Sequence, residues 1–445
     1  MIQALQLLLS LSILVTLHEL GHYIAAKMFG CRVEKFYLFI DWNFALFRKK
    51  IGETEFGLGW LPLGGYVKIA GFVDESMDTS GVESKPEHWE LRSKPAWQRL
   101  VVMLGGIFVN IILAWFIYSV ILFSSGEQFI PNKLLSSGFS FNPALEDLGF
   151  VDGDILVSID NEPVLEIDPS MSVVTNSILF KQKATNIIVQ RANKNLTITI
   201  SSEARNNIIK NLALYKEPFV YPNFKWVINS FYDSSILEEA GANEGDRILA
   251  INNISTDFYN PSIRSQLEGL SNQNILVLVE RSFSKKIDTI EVALNEDGFL
   301  GVNMSMEEYI KTRSFSAFSC VSGGLKKTIR TINMYCGQLK LMFNPSTGGY
   351  KHVGGVISIG KMFPGKWDWQ NFWSMTALLS IILAIMNLLP IPALDGGHAL
   401  IAIIEMISGK KLPIKFLVPL QIAGMIILFA LLIYANGMDI IRLFN

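Results

Sequence analysis

His18-Glu19-Leu20-Gly21-His22, HELGH, is the stretch on which the reading of this chain turns, and its weight comes from its setting. It lies inside an apolar run from Ile2 to Met28, with Leu17, Leu20, Ile24, Ala25 and Ala26 around it. On a helix His18 and His22 are i and i+4, so both imidazoles leave one face a single turn apart and can meet one metal ion. In such an H-E-x-x-H arrangement the histidines bind zinc, and the adjacent Glu19 is placed to take a proton from the water the metal activates.

Two ordinary explanations compete: a chance pattern, and a pair of packed core histidines with satisfied hydrogen bonds. The apolar run weighs against both. Ionisable groups in the middle of a membrane span cost roughly 2.5–3.5 kcal/mol each on insertion scales and are seldom there without a function.

The chain has 445 residues, is 50% hydrophobic and carries a formal net charge of -2. Its mean hydropathy, +0.33, is too high for an ordinary soluble protein of this length. A polytopic membrane protein with a soluble part fits. Near-neutral charge and the lack of a long basic tract give no reason to propose nucleic acid as a partner. Cys31, Cys320 and Cys336 are too few for a disulfide framework and match no thiolate zinc motif, so they read as free thiols.

In chain order, residues 1–28 read as a retained first span, because a signal peptide would carry positive charge ahead of its apolar run and the first basic residue here is Lys27. By helical rise His18 lies roughly 24 Å into a hydrocarbon core about 30 Å thick, near its far face. Residues 29–96 carry Arg32, Lys35, Arg48, Lys49, Lys50, Lys68, Arg92 and Lys94, which by the positive-inside rule makes that side cytoplasmic and the N-terminus external. Within them EFGLGWLPLGGYVK, Glu55 to Lys68, alternates large apolar residues with glycines, which predicts hairpins lying against the bilayer. A second span, residues 97–123, holds Gly105 and Gly106, suited to close helix packing, and a mid-span Asn110 that wants a polar partner.

Residues 124–308 are soluble in character and repeat themselves. Ser234 to Ser255 can be laid on Asn142 to Pro163, matching Leu145, Glu146, Gly149, Gly153, Asp154, Ile159 and Asn161 with Leu237, Glu238, Gly241, Gly245, Asp246, Ile251 and Asn253. Each copy leads into a hairpin-like pair, Ile187–Arg191 with Leu196–Ile200 and Ile275–Arg281 with Ile287–Leu294. Two tandem modules, 124–220 and 221–308, follow. The region 309–371 contains an amphipathic helical stretch, Ser314 to Phe343, with Gly323 and Gly324 expected to break it.

The third span, residues 372–395, runs into NLLPIPALDGGH, Asn387 to His398. Pro390 and Pro392 cannot continue a regular helix, and broken backbone at membrane depth is tolerated only where it lines a cavity or is buried in protein. Asp395 falls at about the depth of His22, where an acid needs a partner and a site with two histidines needs a third ligand. His398 is the rival third ligand. A helix and loop, 396–415, with Lys410, Lys411 and Lys415, lead to a last span, 416–436, and a tail, 437–445. The acids that follow the HELGH stretch most closely, Glu34, Glu53 and Glu55, lie on strand-like or loop sequence, unlike the nearby downstream helix that gives a soluble zincin its third ligand.

HELGH in the first span, LPLGGYVK in the cytoplasmic stretch and NLLPIPALDGGH in the third span together resemble the site-2 proteases, specifically their bacterial sigma-E-regulating branch. The module pattern of short helix, glycine and G-D-x-I strand resembles bacterial PDZ domains. The resemblance runs end to end. It implies a four-span α-helical membrane protein with a membrane-associated β-hairpin region and two tandem periplasmic PDZ domains, sited in the bacterial inner membrane with both termini periplasmic. It implies zinc held by His18, His22 and Asp395, with Glu19 as general base. Asn387, Pro390, Pro392 and the hairpin at Gly57, Leu58 and Gly59 would take the unwound substrate; Leu58 stands where the family usually has Phe. The implied reaction is cleavage of single-pass membrane proteins within their spans, after an outside protease has trimmed them. An anti-sigma factor of the envelope stress response and remnant signal peptides are the implied substrates, with the PDZ pair excluding bulky ones or capturing peptide ends. A membrane adaptor built on PDZ modules and a metal transporter are the alternatives from other classes.

Overall fold

Among the described residues four helices are long and apolar enough to cross a membrane: α1 (Ile2–Met28), α2 (Ala96–Ser125), α5 (Trp369–Leu388) and α7 (Ile414–Phe444). Helices α3 (Ala317–Met342), α4 (Val356–Lys361) and α6 (Asp395–Ser408) accompany them. The computed structural model describes residues 1–72, 86–181, 183–211, 218–233, 235–252, 254–256, 258–259, 262–296, 298–304, 306 and 308–444. Ser234 and Asn253 of the repeat lie outside the described residues. The chain divides into two compact units, Met1–Gly126 with Ser314–Leu339 and Tyr350–Asn445, and Glu127–Arg313 with Lys340–Gly349.

In the first unit α1 and α2 meet backbone to backbone. A Cβ on Gly21 would press into the carbonyl of Gly105, and one on Gly105 into that of Gly21. Small residues permit this approach where lipid supplies no hydrophobic drive for helices to associate. Polar groups on the same helices find partners: Gln6 Nε2 donates to the Pro364 carbonyl at 2.9 Å, Thr376 Oγ1 donates to Ser10 Oγ at 3.0 Å, and Ser380 Oγ donates to the Asn110 carbonyl at 2.7 Å. The last two tie one apolar helix to another, and the first ties α1 to the loop before α5, by bonds that lipid could not replace.

Between α1 and α2 lies one long hairpin, β1 (Val33–Ile51) and β2 (Thr54–Ile69). Both strands bend back on themselves. Tyr37 pairs with Tyr66 on one side and Gly57 on the other, and Leu38 with Gly65 and Leu58, while Arg48 and Phe47 flank Gly57 and Leu58 from beyond. The fold needs a glycine at 59, where a Cβ would run into the carbonyls of Phe39 and Ile40. Trp42, Phe44, Leu46, Phe47 and Ile51 are left exposed, with the Phe44 ring stacked on Trp60 at 5.7 Å. A bare apolar surface of this kind marks a lipid or protein contact.

Three expectations need correction. Gly323 and Gly324 do not break α3, which runs through them unbroken. They sit where α3 meets α2: a Cβ on Gly324 would meet the backbone and hydroxyl of Ser119, and one on Gly323 would meet Leu122 and Phe315. Trp115 Nε1 adds a hydrogen bond to the Val321 carbonyl at 2.9 Å. The third span stops at Leu388 rather than 395, because Pro390 and Pro392 force an irregular turn, with Ala393 at φ 95°, before α6 begins at Asp395. The last helix does not end at 436 but continues to Phe444. Its extra turns are anchored by Asp439, which accepts from the Ser358 N–H at 2.9 Å, and by Arg442, which donates to the Lys351 carbonyl at 2.8 Å.

The second unit contains two sheets of the same plan. Strands β3 (Ile155–Ile159), β4 (Glu162–Pro163), β5 (Thr185–Arg191) and β6 (Lys194–Ile200) are ordered β4-β3-β5-β6. Strands β7 (Arg247–Ile251), β8 (Ile254–Ser255), β9 (Asn274–Glu280) and β10 (Ile287–Ala293) are ordered β8-β7-β9-β10. Each sheet is preceded by a short capped helix, Pro143–Glu146 with Asn142 accepting from the Ala144 N–H and Ile236–Glu239 with Ser235 accepting from the Glu238 N–H. The aspartate of each G-D pair is buried and clamped by an arginine at the turn of the second hairpin: Asp154 by Arg191 at 2.7 Å, Asp246 by Arg281 at 2.8 Å. The repeat therefore has a physical core as well as a pattern.

The α2–α3 contact makes a direct prediction. Gly324→Leu should destabilise the fold by about 1–3 kcal/mol through overpacking against Ser119, read as a melting temperature lowered by several degrees in detergent. Gly437→Ala, inside α7 at a position with nothing within 4 Å of a new Cβ, should not lower it.

Candidate metal centre

Helix α1 carries His18 and His22 on one face, both buried, and the proline-broken turn after α5 delivers Asp395 to them as the first residue of α6. Nε2 of His18 and Nε2 of His22 are 3.2 Å apart, and Oδ2 of Asp395 stands 3.1 Å from the first and 3.3 Å from the second. A tetrahedral zinc with ligands at about 2.0–2.1 Å needs donor–donor edges of about 3.3 Å, so this near-equilateral triangle fits three of its four corners. Asp395 Oδ2 is buried and makes no hydrogen bond, the state of a donor aimed at a cation. Among the described residues these three form the one group of histidine, cysteine and acid side chains close enough to hold a metal ion. Two nitrogens, one carboxylate and an open fourth corner suit catalytic zinc.

Glu19 follows His18 on the same helix, and the backbone amide of Val67 on β2 lies near enough to bear on its carboxylate. Strand β2 reaches it closely because Gly65 has no side chain; a Cβ there would lie 3.7 Å from Glu19 Cγ and 3.0 Å from Val15. Asn387, in the last turn of α5, brings Nδ2 to 3.2 Å from His18 Nε2 and so stands at the rim of the triangle.

Other expected residues sit elsewhere. His398 is not in the donor triangle; its ring packs edge-on against Phe72 with centroids 4.9 Å apart. With Pro392 it lines a cavity of about 450 Å³ beside Arg99, Glu405 and Leu417. Pro390 and Pro392 shape the turn that positions Asp395, and the Pro392 carbonyl lies against Gly424 of α7. Gly57 and Leu58 are paired with β1 on both sides, and Gly59 pairs with Ala45 while its other side abuts Ile40. That segment therefore offers no free edge to a substrate strand.

Of the groups behind the two histidines, the sequence marked Asn110 as wanting a polar partner but not what Val102 and Gly106 do. Nδ1 of His22 donates to the Val102 carbonyl at 2.8 Å, which leaves Nε2 free for a metal. Gly106, one turn further along α2, lies directly under both rings, where a Cβ would come within 2.5 Å of His22 Nε2 and 2.7 Å of His18 Nδ1. One more turn brings Asn110, whose Nδ2 lies 3.1 Å from His18 Nδ1. A carbonyl carries no side-chain signal in a sequence, and a glycine in a span reads first as helix packing. Gly106→Val should therefore lower zinc affinity more than tenfold in a chelator competition while the chain still inserts, because the added carbons occupy the space of the imidazoles.

The comparisons with known proteins agree with this chemistry. The model of peptidase family M50 matches residues 6–431. Over 468 aligned residues the chain is 26% identical to the regulator of sigma E protease of Haemophilus influenzae, covering 98% of both chains. Over 433 residues it is 26% identical to protease RseP of Yersinia pestis, covering 90% of both. A relative from Clostridium perfringens that bears a zinc metalloprotease name is 26% identical over 436 residues, 98% of this chain and 97% of the relative. A family match across nearly the whole chain goes with the apolar helices and the H-E-x-x-H stretch they enclose: the chain belongs to peptidase family M50, the site-2 proteases, and is a membrane-embedded zinc metalloprotease.

Proposed function

We propose that this protein cuts single-pass membrane proteins inside their membrane-spanning segments, with His18, His22 and Asp395 as zinc ligands and Glu19 as general base. The observation that carries the reading is the donor triangle itself, three side chains from α1 and α6 meeting among apolar helices with 3.1–3.3 Å edges. When bound, zinc supplies a Lewis acid that polarises the scissile carbonyl and makes water a better nucleophile at neutral pH.

The chain's own groups do the rest. Glu19, beside the Val67 amide, accepts the proton of the attacking water and returns it to the leaving amine. Asn387, with its amide at the rim of the triangle, is placed to hydrogen-bond a substrate carbonyl. A spanning helix hides its peptide bonds in its own ladder, so the substrate must be unwound and its freed groups paired again. Strand β2 beside Glu19 supports that step by strand addition. Backbone amides alternate in direction along a strand, so Gly65, two residues from Val67, turns its N–H and C=O to the same side as the amide that reaches Glu19. The pairing of Gly57 and Leu58 on both sides moves the proposed edge from that segment to the backbone around Gly65. Pro390 and Pro392 act by holding the turn open at membrane depth.

Substrate class and topology rest on the relatives and on charge. A relative is named regulator of sigma E protease, which supports an anti-sigma factor, already trimmed on its outer side, as a target; remnant signal peptides share the same trimmed single-span form. Lys49, Lys50, Lys94, Lys410 and Lys411 on one set of loops support a cytoplasmic side there. Both termini and the second unit then face the periplasm across a bacterial inner membrane. The paired four-stranded sheets, each with a capped short helix and an Asp–Arg clamp, support two PDZ domains spanning about 124–220 and 221–308. These would act as a gate against substrates that keep bulky outer domains. Family membership speaks against the adaptor and transporter alternatives.

Glu19→Gln should abolish cleavage of a trimmed single-pass reporter in membranes while purified protein keeps its zinc; His22→Ala should lose both. Wild-type protein should leave a reporter with a bulky folded outer domain intact. Cleavage by Glu19→Gln at the wild-type rate would remove the general-base assignment, and equal cleavage of both reporters would remove the gate.

A further inference from the structure

Asn110 is completely buried in the middle of α2, and its amide oxygen Oδ1 has no hydrogen-bond partner. Its Nδ2 lies against Nδ1 of His18. The second histidine shows what a ligand's outer nitrogen requires. A carbonyl can only accept, so Val102 holds the His22 proton on Nδ1 and leaves the Nε2 lone pair pointing into the triangle. His18 Nε2 stands in the same triangle, 3.1 Å from Asp395 Oδ2. A neutral His18 that offers Nε2 to a metal carries its proton on Nδ1 and needs an acceptor there. The amide oxygen and nitrogen of an asparagine occupy almost the same volume, and a half-turn about the last bond exchanges them.

We propose that Asn110, with Oδ1 turned toward His18, is the positioning residue that fixes the tautomer and ring orientation of His18 for zinc. It is the side-chain counterpart of the Val102 carbonyl. Val102, Gly106 and Asn110 recur at i, i+4 and i+8 and so form one stripe on α2. The stripe supplies an acceptor for His22, open space for both rings and an acceptor for His18. The α2 backbone at this level is held from α5 by the Ser380 hydroxyl, donating to the Asn110 carbonyl. The ring of His18 is thereby set from α2 and the third ligand from α6, so the site forms only where these helices have packed. Asparagine suits the depth because it accepts a hydrogen bond without bringing a further charge into the span.

This inference rests on the reading of His18, His22 and Asp395 as zinc ligands, and its test separates the two. Zinc affinity is measured by competition with a chromogenic chelator on detergent-purified full-length protein, for wild type, Asn110→Leu, Asn110→Asp and His22→Ala. Asn110→Leu, which keeps the volume and loses the acceptor, should bind zinc roughly 10- to 100-fold more weakly. Asn110→Asp, which can only accept, should bind at least as tightly as wild type. Wild-type affinity in Asn110→Leu would overturn the proposal. So would an Asn110→Asp variant that binds as weakly as a variant lacking an acceptor, since the amide would then be serving as a donor. If Asn110→Leu fails to fold, the direction of the change in Asn110→Asp decides alone. Retention of zinc by His22→Ala would instead bring down the ligand assignment, whatever the Asn110 variants do.

Discussion

Where α1 crosses α2, two backbones touch, and the rest of the membrane unit depends on that contact. Gly21 lies against Gly105 with no room for a methyl group on either. The approach brings the α2 backbone within hydrogen-bonding reach of imidazoles on α1, so a main-chain carbonyl at Val102 can take a ligand's proton. It also requires the next residue on the stripe, Gly106, to be bare. A side chain at any of these three glycines would separate the helices and pull the histidines away from their supports together.

The second constraint is the low dielectric of the surroundings. In water an unpaired glutamine or serine is harmless; among apolar helices each costs on the order of a few kcal/mol if left unsatisfied. The spans answer with bonds to one another, Thr376 to Ser10 and Ser380 to Asn110, and with one to the loop before α5, Gln6 to Pro364. The same logic accounts for the irregular turn between α5 and α6. Its freed backbone is closed by local bonds such as Leu394 N–H to the Ile391 carbonyl at 2.9 Å, and the turn faces protein rather than lipid where Gly424 covers the Pro392 carbonyl. An acid can thus be presented at membrane depth without an exposed strand of polar backbone.

Much of this was legible because the chemistry contradicts its background. Histidines and an acid in apolar runs stand out, and matching their depths points to Asp395 before any coordinates are known. Turn signals and the G-D repeat likewise announced two similar modules. The misread places are those where one symbol has two physical meanings. Gly323 and Gly324 read as a helix break and prove to be a docking face, because sequence does not say which neighbour approaches a glycine. Gly57 to Gly59 read as an accessible edge, yet the strands fold back and cover it, a pairing that depends on bends at Phe39 and Asn43, both at positive φ. The group behind His22 is a carbonyl at Val102 and the one beside Glu19 an amide at Val67, main-chain groups that no sequence pattern reveals.

The discontinuity of the first unit has a consequence in time. His18 and His22 emerge before residues 127–313 and Asp395 only after them. At roughly 5–20 residues per second the interval is on the order of tens of seconds, ample for small sheets with short hairpins to fold. A nascent chain therefore holds two members of the proposed ligand set, His18 and His22, that Asp395 cannot join until the intervening unit has been made. On that reading the site stays open until α5 and α6 have followed.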